Sequence, residues 1–575
     1  MDWELKQELK NKLLAEKGYY RYPLGTRAPM ALVYPNSYFV GMSNLGLHII
    51  YDLLNKRTDT ACERVFLPDK NSIARYENTG TPLMSLENQN PLYNFPLIAF
   101  TISFEMDYFN VVKILELGKV KIKAKERTDK DALIIAGGPC ATFNPEPLSE
   151  VIDAFIIGEG EVIMPSFMDT YYQAKNDGCT RIEMLMRLAS VPGVYVPSLY
   201  EHEYDVSGSL RQITPKENVP PRAKRQWVKN LDQYPAHTVV LTDNTEFNFY
   251  LIETARGCGR HCRFCMAGYA FRKPRNRSLA VINDEVKAAL RYKKRIGLMG
   301  AAISDYPEIN ELCQDILGEG LSMSVASFRA DTVTKELVES LAASGLKTLT
   351  MAPEAGSSRM RAVINKGIEE VHLFNAIDLG VAAGIKNFRL YIMVGLPFET
   401  EDDISAIIDL AERLKDYMEN NGAKGTLTLS INPFIPKPFT PFQWLPMADK
   451  KYVERAFKTI MQGLKKRRQI IVNVESPKEA YIQGILARGD RNIAKAFMRA
   501  CELGGSKAFK RALKEEGLDL KKYLYCQREK DEIFPWDALD LGFTRKYLYD
   551  ELIKAEKLQP TVKCFAGCKR CGVCK

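Results

Sequence analysis

No apolar run in this sequence approaches the roughly 18 residues needed to cross a bilayer. The opening stretch, MDWELKQELKNKLLAEKGYY, has early acids and no continuous apolar core, which excludes a secretory signal there. Nor is there an evenly stapled cysteine framework of the secreted kind. Of thirteen cysteines, six (Cys62, Cys140, Cys179, Cys313, Cys501, Cys526) are scattered singly, and the other seven fall in two tight groups. Metal binding in a reducing compartment, the cytoplasm, is the expectation. Charge of one sign is also lacking: +9 is modest for 575 residues, and 46% hydrophobic with 26% charged residues is ordinary for globular domains. That length allows two to four domains, each with a core.

What the sequence does have is Ala255–Tyr269, ARGCGRHCRFCMAGY. Cys258, Cys262 and Cys265 stand in a C-x3-C-x2-C cluster with no fourth cysteine nearby. Clustered thiolates are soft anionic ligands for iron–sulfur iron or zinc. Three ligands are one short of a closed structural site and leave a position open for chemistry. The alternative is a zinc knuckle completed by His261 or a distant ligand.

Around this cluster the chain alternates strand-like and helix-like segments. Residues 2–17 read as an amphipathic helix. Strands are expected at Met30–Tyr34, Leu97–Ser103, Ala132–Gly138 and Ala154–Ile157, with helices at Leu45–Asn55, Asp107–Leu117 and around Glu146–Ile152. Buried strands separated by helices imply a doubly wound α/β unit over 19–205. Two loops at strand carboxyl ends, Gly137–Leu148 (GGPCATFNPEPL) and Gly158–Glu161 (GEGE), fit close approach to a ligand or simple tight turns. A polar, proline-containing connector follows over 206–245. From 246 to 446 strand–helix repeats resume, beginning with Phe249–Thr254 just before the cysteines. Asn432–Trp444 (NPFIPKPFTPFQW) reads as a stiff loop, either a wall at the substrate mouth or a strap over an open edge. From 447 to 560 the pattern is helical. The tail over 561–575 places Cys564, Cys568, Cys571 and Cys574 at x3, x2 and x2 spacing, a metal site for iron–sulfur, mononuclear iron or zinc. Basic runs at Arg222–Lys229, Arg272–Arg277, Arg291–Arg295 and Lys465–Arg468 suit either RNA contact or solvated faces.

The cysteine spacing, with Phe264 before the last cysteine, resembles the radical SAM (radical S-adenosylmethionine) superfamily. GGP-x-x-T…PE followed by GEGE resembles the cobalamin-binding domains found upstream in B12-type members. With Ile485–Arg491 (ILARGDR), Phe534–Phe543 (FPWDALDLGF) and the cysteine tail, the whole chain resembles B12-binding-domain radical SAM proteins with a Cys-rich C-terminus. The fold this implies is α/β: an N-terminal doubly wound cobalamin-binding-like domain (19–205, after a helix at 1–18), a radical SAM partial (β/α)6 barrel, and a C-terminal helical domain with a four-cysteine tail.

The resemblance further implies that Cys258, Cys262 and Cys265 hold a 4Fe–4S cluster whose open iron binds SAM. An electron donor such as flavodoxin or ferredoxin reduces the cluster, and SAM is cleaved to a 5′-deoxyadenosyl radical. Gly137, Gly138, Gly158, Glu159, Gly160 and Glu161 are implied at the corrin. At SAM the implied residues are Gly300 and Ser304 in Leu298–Asp305, Glu354 and Arg359 in Met351–Arg359, and Gly395 in Tyr391–Glu399. None of the five histidines (His48, His202, His237, His261, His372) stands in a D-x-H-x-x-G context, so cobalamin would lack a lower histidine. The expected reaction is cobalamin-dependent methylation or a related modification of an unactivated carbon, with RNA or protein as substrate. The middle also resembles methylthiotransferases that modify tRNA, which implies sulfur insertion into RNA, using the tail cluster, as the alternative reaction; those enzymes carry three further N-terminal cysteines, and the local sequences of Cys62, Cys140 and Cys179 do not match them. A metal-binding adaptor with structural clusters is the non-enzymatic alternative.

Overall fold

A computed structural model describes residues 2–292 and 295–574; Lys293 and Lys294 of the basic run Arg291–Arg295 lie outside the described residues. The chain opens with a helix, Trp3–Leu14, capped by the Asp2 carboxylate. Six strands then form one sheet: β1 (Ala28–Tyr34), β2 (Thr60–Phe66), β3 (Leu97–Thr101), β4 (Leu133–Gly137), β5 (Ala154–Ile156) and β6 (Val194–Tyr195). Their order is β2-β1-β3-β4-β5-β6. All pairings are parallel except the last, between β5 and β6. The reversal of order between β1 and β3 opens a crevice at their carboxyl ends, where open α/β sheets bind ligands.

Strand β2 escapes apolar patterning because Glu63 and Arg64 interrupt it. Arg64 is nonetheless 1% exposed. Its guanidinium pairs with Glu16 at 2.6 Å and Glu87 at 2.7 Å, both as buried as it is, so the buried cation has carboxylate partners on two sides. The expected helix around Glu146–Ile152 shrinks to a single 3-10 turn, Glu146–Leu148. Pro145 and Pro147 deny that segment the N–H groups a longer helix needs. The boundary expected at 205 is crossed by a hairpin pairing Tyr200–Tyr204 with Leu210–Pro215. The connector is also more than a linker, since Ala223–Lys224 pairs in parallel with Leu539–Asp540.

The second half supplies β7 (Phe249–Glu253), β8 (Arg295–Met299), β9 (Met323–Val325), β10 (Thr348–Glu354), β11 (Asn387–Val394), β12 (Leu427–Pro433) and β13 (Ile470–Val474). They follow one another in sequence order, all parallel, as β7-β8-β9 and β10-β11-β12-β13. A parallel bridge between Phe328 and Met351 joins the two sheets. This is the order of successive right-wound βα units. The unit runs past the expected limit of 446. The helix Lys450–Leu464 buries Val453, Ala456, Phe457 and Ile460 in the same core, and β13 adds a half-exposed edge strand.

The remaining helices have no separate core. Those at Pro477–Arg488, Arg491–Glu502 and Phe509–Glu515 pack on the first sheet's domain, with the Phe497 ring 5.1 Å from that of Phe109. Asn144 donates to Ala487 O and Gly489 O, and Arg491 pairs with Glu146 at 2.7 Å. The aromatic loop Asn432–Trp444 is sunk into this shared core, with Phe442 and Trp444 fully buried. Among the described residues no helix is long and apolar enough to cross a membrane. Arg64→Ala strands two buried carboxylates and is expected to cost about 3–5 kcal/mol; urea denaturation reads this as a lowered midpoint.

Candidate functional site

Strand β7 delivers the cysteine loop at its carboxyl end. A two-residue ladder, Ala255–Arg256 against Arg275–Asn276, turns the chain outward. Gly257 then has φ of +83°, and a Cβ there would fall 2.2 Å from Phe271 O, so only glycine makes the turn. Cys258, Cys262 and Cys265 follow, the last capping the short helix Met266–Ala270. Buried Arg263 holds the loop by donating to the carbonyls of Ala362, Val363 and Gln559 and facing Glu551 at 3.3 Å. Asn365 donates to His261 O and Thr561 O and accepts from Thr561 N–H.

Burial, with Cys262 adding to it, pushes the Cys265 thiol up to about 12 and raises that of Cys258. Such thiols ionise when a metal takes the proton's place. Two cations flank them. Arg329 Nη1 lies 3.9 Å from Cys262 Sγ, and the Lys366 ammonium sits 5.8 Å from the Phe264 ring centroid. Among the described residues no three His, Cys, Asp or Glu side chains converge as on a single ion. A cubane asks for no such convergence, since each thiolate holds a different iron.

Beside the loop lies a cavity of about 430 Å³. One wall is the first sheet's carboxyl edge, with Leu32, Ala99, Thr101, Gly137, Gly138 and Ile156; the other is the root of the cysteine loop, including Glu253, Arg256, Gly257, Met299 and Gly300. Gly158, Glu159, Gly160 and Glu161 line it too. Their side chains have structural work. Arg256 pairs with Glu159 at 3.0 Å, Glu161 at 2.8 Å and Glu253 at 2.9 Å. Arg275 reaches Glu159 at 2.7 Å, and Arg277 reaches Glu253 at 2.7 Å. Burial alone would raise the Glu159 and Glu253 carboxyls, but their arginines outweigh it and hold both below the usual range. The Gly158 turn answers to the chain's own backbone: its φ is +121°, and a Cβ would lie 2.0 Å from Gln226 O.

The barrel positions expected at SAM are spread along the strand ends. Gly300 lines the cavity; Ser304, Glu354, Arg359 and Gly395 do not. Ser304 is buried and accepts from the Thr332 hydroxyl at 2.8 Å. Glu354 pairs with Lys366 at 3.1 Å. Arg359 is held by Asp403 and Phe398 O. Gly395 N–H donates to Glu399, whose carboxyl burial pushes up to about 7. No histidine lines the cavity. Arg256, Arg329 and Lys366 were not legible as site residues. The signal for Arg256 was its place two residues before Cys258, and for Lys366 its place in Asn365-Lys366-Gly367.

Of the basic runs, Arg272–Arg277 turns inward, with Arg272, Arg275 and Arg277 all buried. Arg225 in the Arg222–Lys229 run donates to Ala270 O and Arg272 O. Lys465, Lys466 and Arg468 remain exposed. Cys62 lies on β2 and Cys140 just beyond β4, with β1 and β3 between them, so about 14 Å of sheet separates the two at the usual strand spacing. That is not the gathered trio a second N-terminal cluster requires.

Two family models match. "Radical SAM proteins, N-terminal" covers residues 46–197 and "Radical SAM superfamily" covers 252–411. An uncharacterised protein of Methanocaldococcus jannaschii is 31% identical over 475 residues, 81% of this chain and 90% of the relative. An uncharacterised methyltransferase of Pyrococcus horikoshii is 25% identical over 337 residues, 56% of this chain and 65% of the relative. Among solved structures, the cobalamin-dependent S-adenosylmethionine radical enzyme OxsB with aqua-cobalamin bound has a TM-score of 0.47 at 13% identity, covering 92% of this chain and 79% of its own.

The chain belongs to the radical SAM superfamily. It is an enzyme whose cofactors are a 4Fe–4S cluster and SAM, and it depends on an electron donor. Arg256→Ala is expected to cost about 3–5 kcal/mol, since it leaves the buried Glu161 carboxylate unpaired and takes one of two arginines from Glu159 and from Glu253. In the wild type the contribution of Glu159 and Glu253 is fully present at neutral pH and is lost as pH falls below about 4 towards their lowered values. Chemical denaturation of both proteins across pH 3–7 checks the difference.

Proposed function

We propose that this chain is a cobalamin-dependent radical SAM methyltransferase acting on an unactivated carbon. Cys258, Cys262 and Cys265 hold the cluster, and the cavity between the two sheets takes the corrin. The observation that carries this is the cavity's double wall. A ligand resting on the carboxyl ends of β1, β3 and β4 faces the strand and turn that deliver the three cysteines. Three soft thiolates without a fourth fit a cluster with an open iron. The largely apolar lining, including Leu32, Ile49, Ile50, Phe100, Ile135 and Met164, fits a corrin macrocycle, and the absence of histidine from it fits cobalamin without an imidazole ligand.

When bound, the cluster with SAM supplies a hydrogen-abstracting radical, and cobalamin supplies a transferable methyl group. The protein's part is binding, orientation and exclusion of water. Arg256, fixed by three glutamates, locks the first domain's Gly158–Glu161 turn to the strand that carries the cysteines. Arg329, paired with Asp331, points its guanidinium at Cys262 Sγ and so favours the more negative, reduced state of a cluster held there. The loop Asn432–Trp444 is part of the shared core, with Phe434, Phe439, Phe442 and Trp444 buried. With so much of the basic sequence turned inward, a protein or small-molecule substrate suits the surface as well as RNA.

The test is anaerobic reconstitution with iron, sulfide and hydroxocobalamin, followed by SAM and dithionite. The expected results are 5′-deoxyadenosine formation and a corrin visible spectrum that survives gel filtration. Ile49→Trp, which fills the cavity, should abolish corrin retention and leave iron content unchanged. A wild-type protein that loads iron and cleaves SAM but retains no corrin contradicts the methyl-transfer reading.

A further inference from the structure

The cysteine tail is folded back onto the first cysteine loop. Cys564 N–H donates to Gly259 O at 2.8 Å, and a Cβ on Gly259 would stand 3.2 Å from Cys564 Cβ. Gly259 follows Cys258 and His261 precedes Cys262; His261 Nε2 lies 3.3 Å from Cys564 Sγ. The rest of the tail is pinned as well. Thr544 N–H donates to Cys571 O, and Thr561 exchanges hydrogen bonds with Asn365. Cys568 and Cys571 are 7% and 2% exposed. From Cys564 to Cys574 the other residues are small, charged or exposed apart from Val573, which with Cys571 packs against the main core, so the segment has no apolar core of its own.

Charge gives an independent indication. Arg272 is fully buried between the two cysteine groups. It donates to Cys258 O and Gly268 O and lies 2.7 Å from His261 Nδ1. No carboxylate is recorded as its ion-pair partner among the described residues. Its guanidinium lies 5.2 Å from the Tyr269 ring centroid and 5.9 Å from that of Phe543. A buried guanidinium requires a counter-charge. Neutral phenols and thiols supply none; metal-bound thiolates do. Outside, Val562 and Phe565 are 64% and 62% exposed, and exposed Lys563, Lys569 and Arg570 surround them. Such a patch suits an acidic protein surface with an apolar centre.

We propose that Cys564, Cys568, Cys571 and Cys574 hold a second iron–sulfur cluster that serves as the electron port of the first. An acidic, low-potential donor of the ferredoxin or flavodoxin class docks on the Val562–Arg570 face and reduces the tail cluster by one electron. The tail cluster passes that electron to the cluster at Cys258, Cys262 and Cys265 and returns to its oxidised state. No bond is made or broken in either transfer. The proposal rests on the first cluster's ligands as assigned above and not on corrin binding.

The full-length, anaerobically reconstituted protein is compared with its C568A/C571A variant and with the charge reversal K563E/K569E. Wild type should carry about eight irons per chain and the C568A/C571A variant about four. In that variant, reduction of the first cluster by reduced ferredoxin should be lost, while dithionite still yields 5′-deoxyadenosine. K563E/K569E should keep all its iron and lose the steep salt dependence of ferredoxin-driven reduction. Zinc in place of iron at the tail overturns the proposal. So does ferredoxin-driven reduction at the wild-type rate in either variant. If C568A/C571A fails to hold the first cluster, wild-type metal content and the charge reversal decide. Failure of wild type to cleave SAM even with dithionite would refute the first-cluster assignment, and the port with it.

Discussion

The arrangement depends on one buried guanidinium. Arg256 stands two residues before Cys258 and is paired at once with Glu253 at the end of β7 and with Glu159 and Glu161 of the first domain. A guanidinium in a low-dielectric interior needs carboxylates beside it, and Glu161 has no other recorded ion-pair partner among the described residues. Arg275 and Arg277 complete the balance. The turn that ends the first sheet and the loop that carries the cysteines are therefore fixed to each other by charge, with little freedom to slide. That fixes the cavity between them and decides which face of the cysteine loop a ligand on the first sheet can see.

A second set of contacts clamps the loop from the opposite side. The helix Arg545–Glu556 and the tail beyond it reach Arg263, His261 and Gly259, and the connector pairs with Leu539–Asp540. The C-terminal helices meanwhile share a core with the first domain. The chain thus has two cores but closes as a ring of contacts, with its last segment returning to the site in its middle. Residues far apart in sequence, such as Glu146 and Arg491 or Asn144 and Gly489, meet where the two ends of that ring join.

Much of this was legible from residues alone. The cysteine spacing marked the site, and apolar runs located β1, β3, β4, β5 and β7. What periodicity missed are places where charge is buried. Strand β2 hides Arg64 and Glu63, and the basic run Arg272–Arg277 forms internal pairs instead of a surface. Apolar patterning counts such residues as exposed, because the carboxylate partners of Arg64, Arg275 and Arg277 lie 23 to 116 residues away on other elements. The limit of the second unit was misplaced for a different reason: the helix Lys450–Leu464 looks like the helices after it, and only its packing assigns it to that unit's core. Glu159 and Glu161 line the cavity, but their partnership with Arg256 depends on a fold that brings residues 159 and 256 together.

The central claim is that the first sheet and the cysteine loop face a single shared site. Electron paramagnetic resonance on the anaerobic protein loaded with cob(II)alamin and a reduced cluster tests it most directly. Two paramagnets on opposite walls of one cavity should show a cobalt signal broadened or split by the cluster, with the unperturbed cobalt spectrum returning when the cluster is oxidised. Superimposed, independent spectra of cobalt and cluster in a protein that retains both would contradict it.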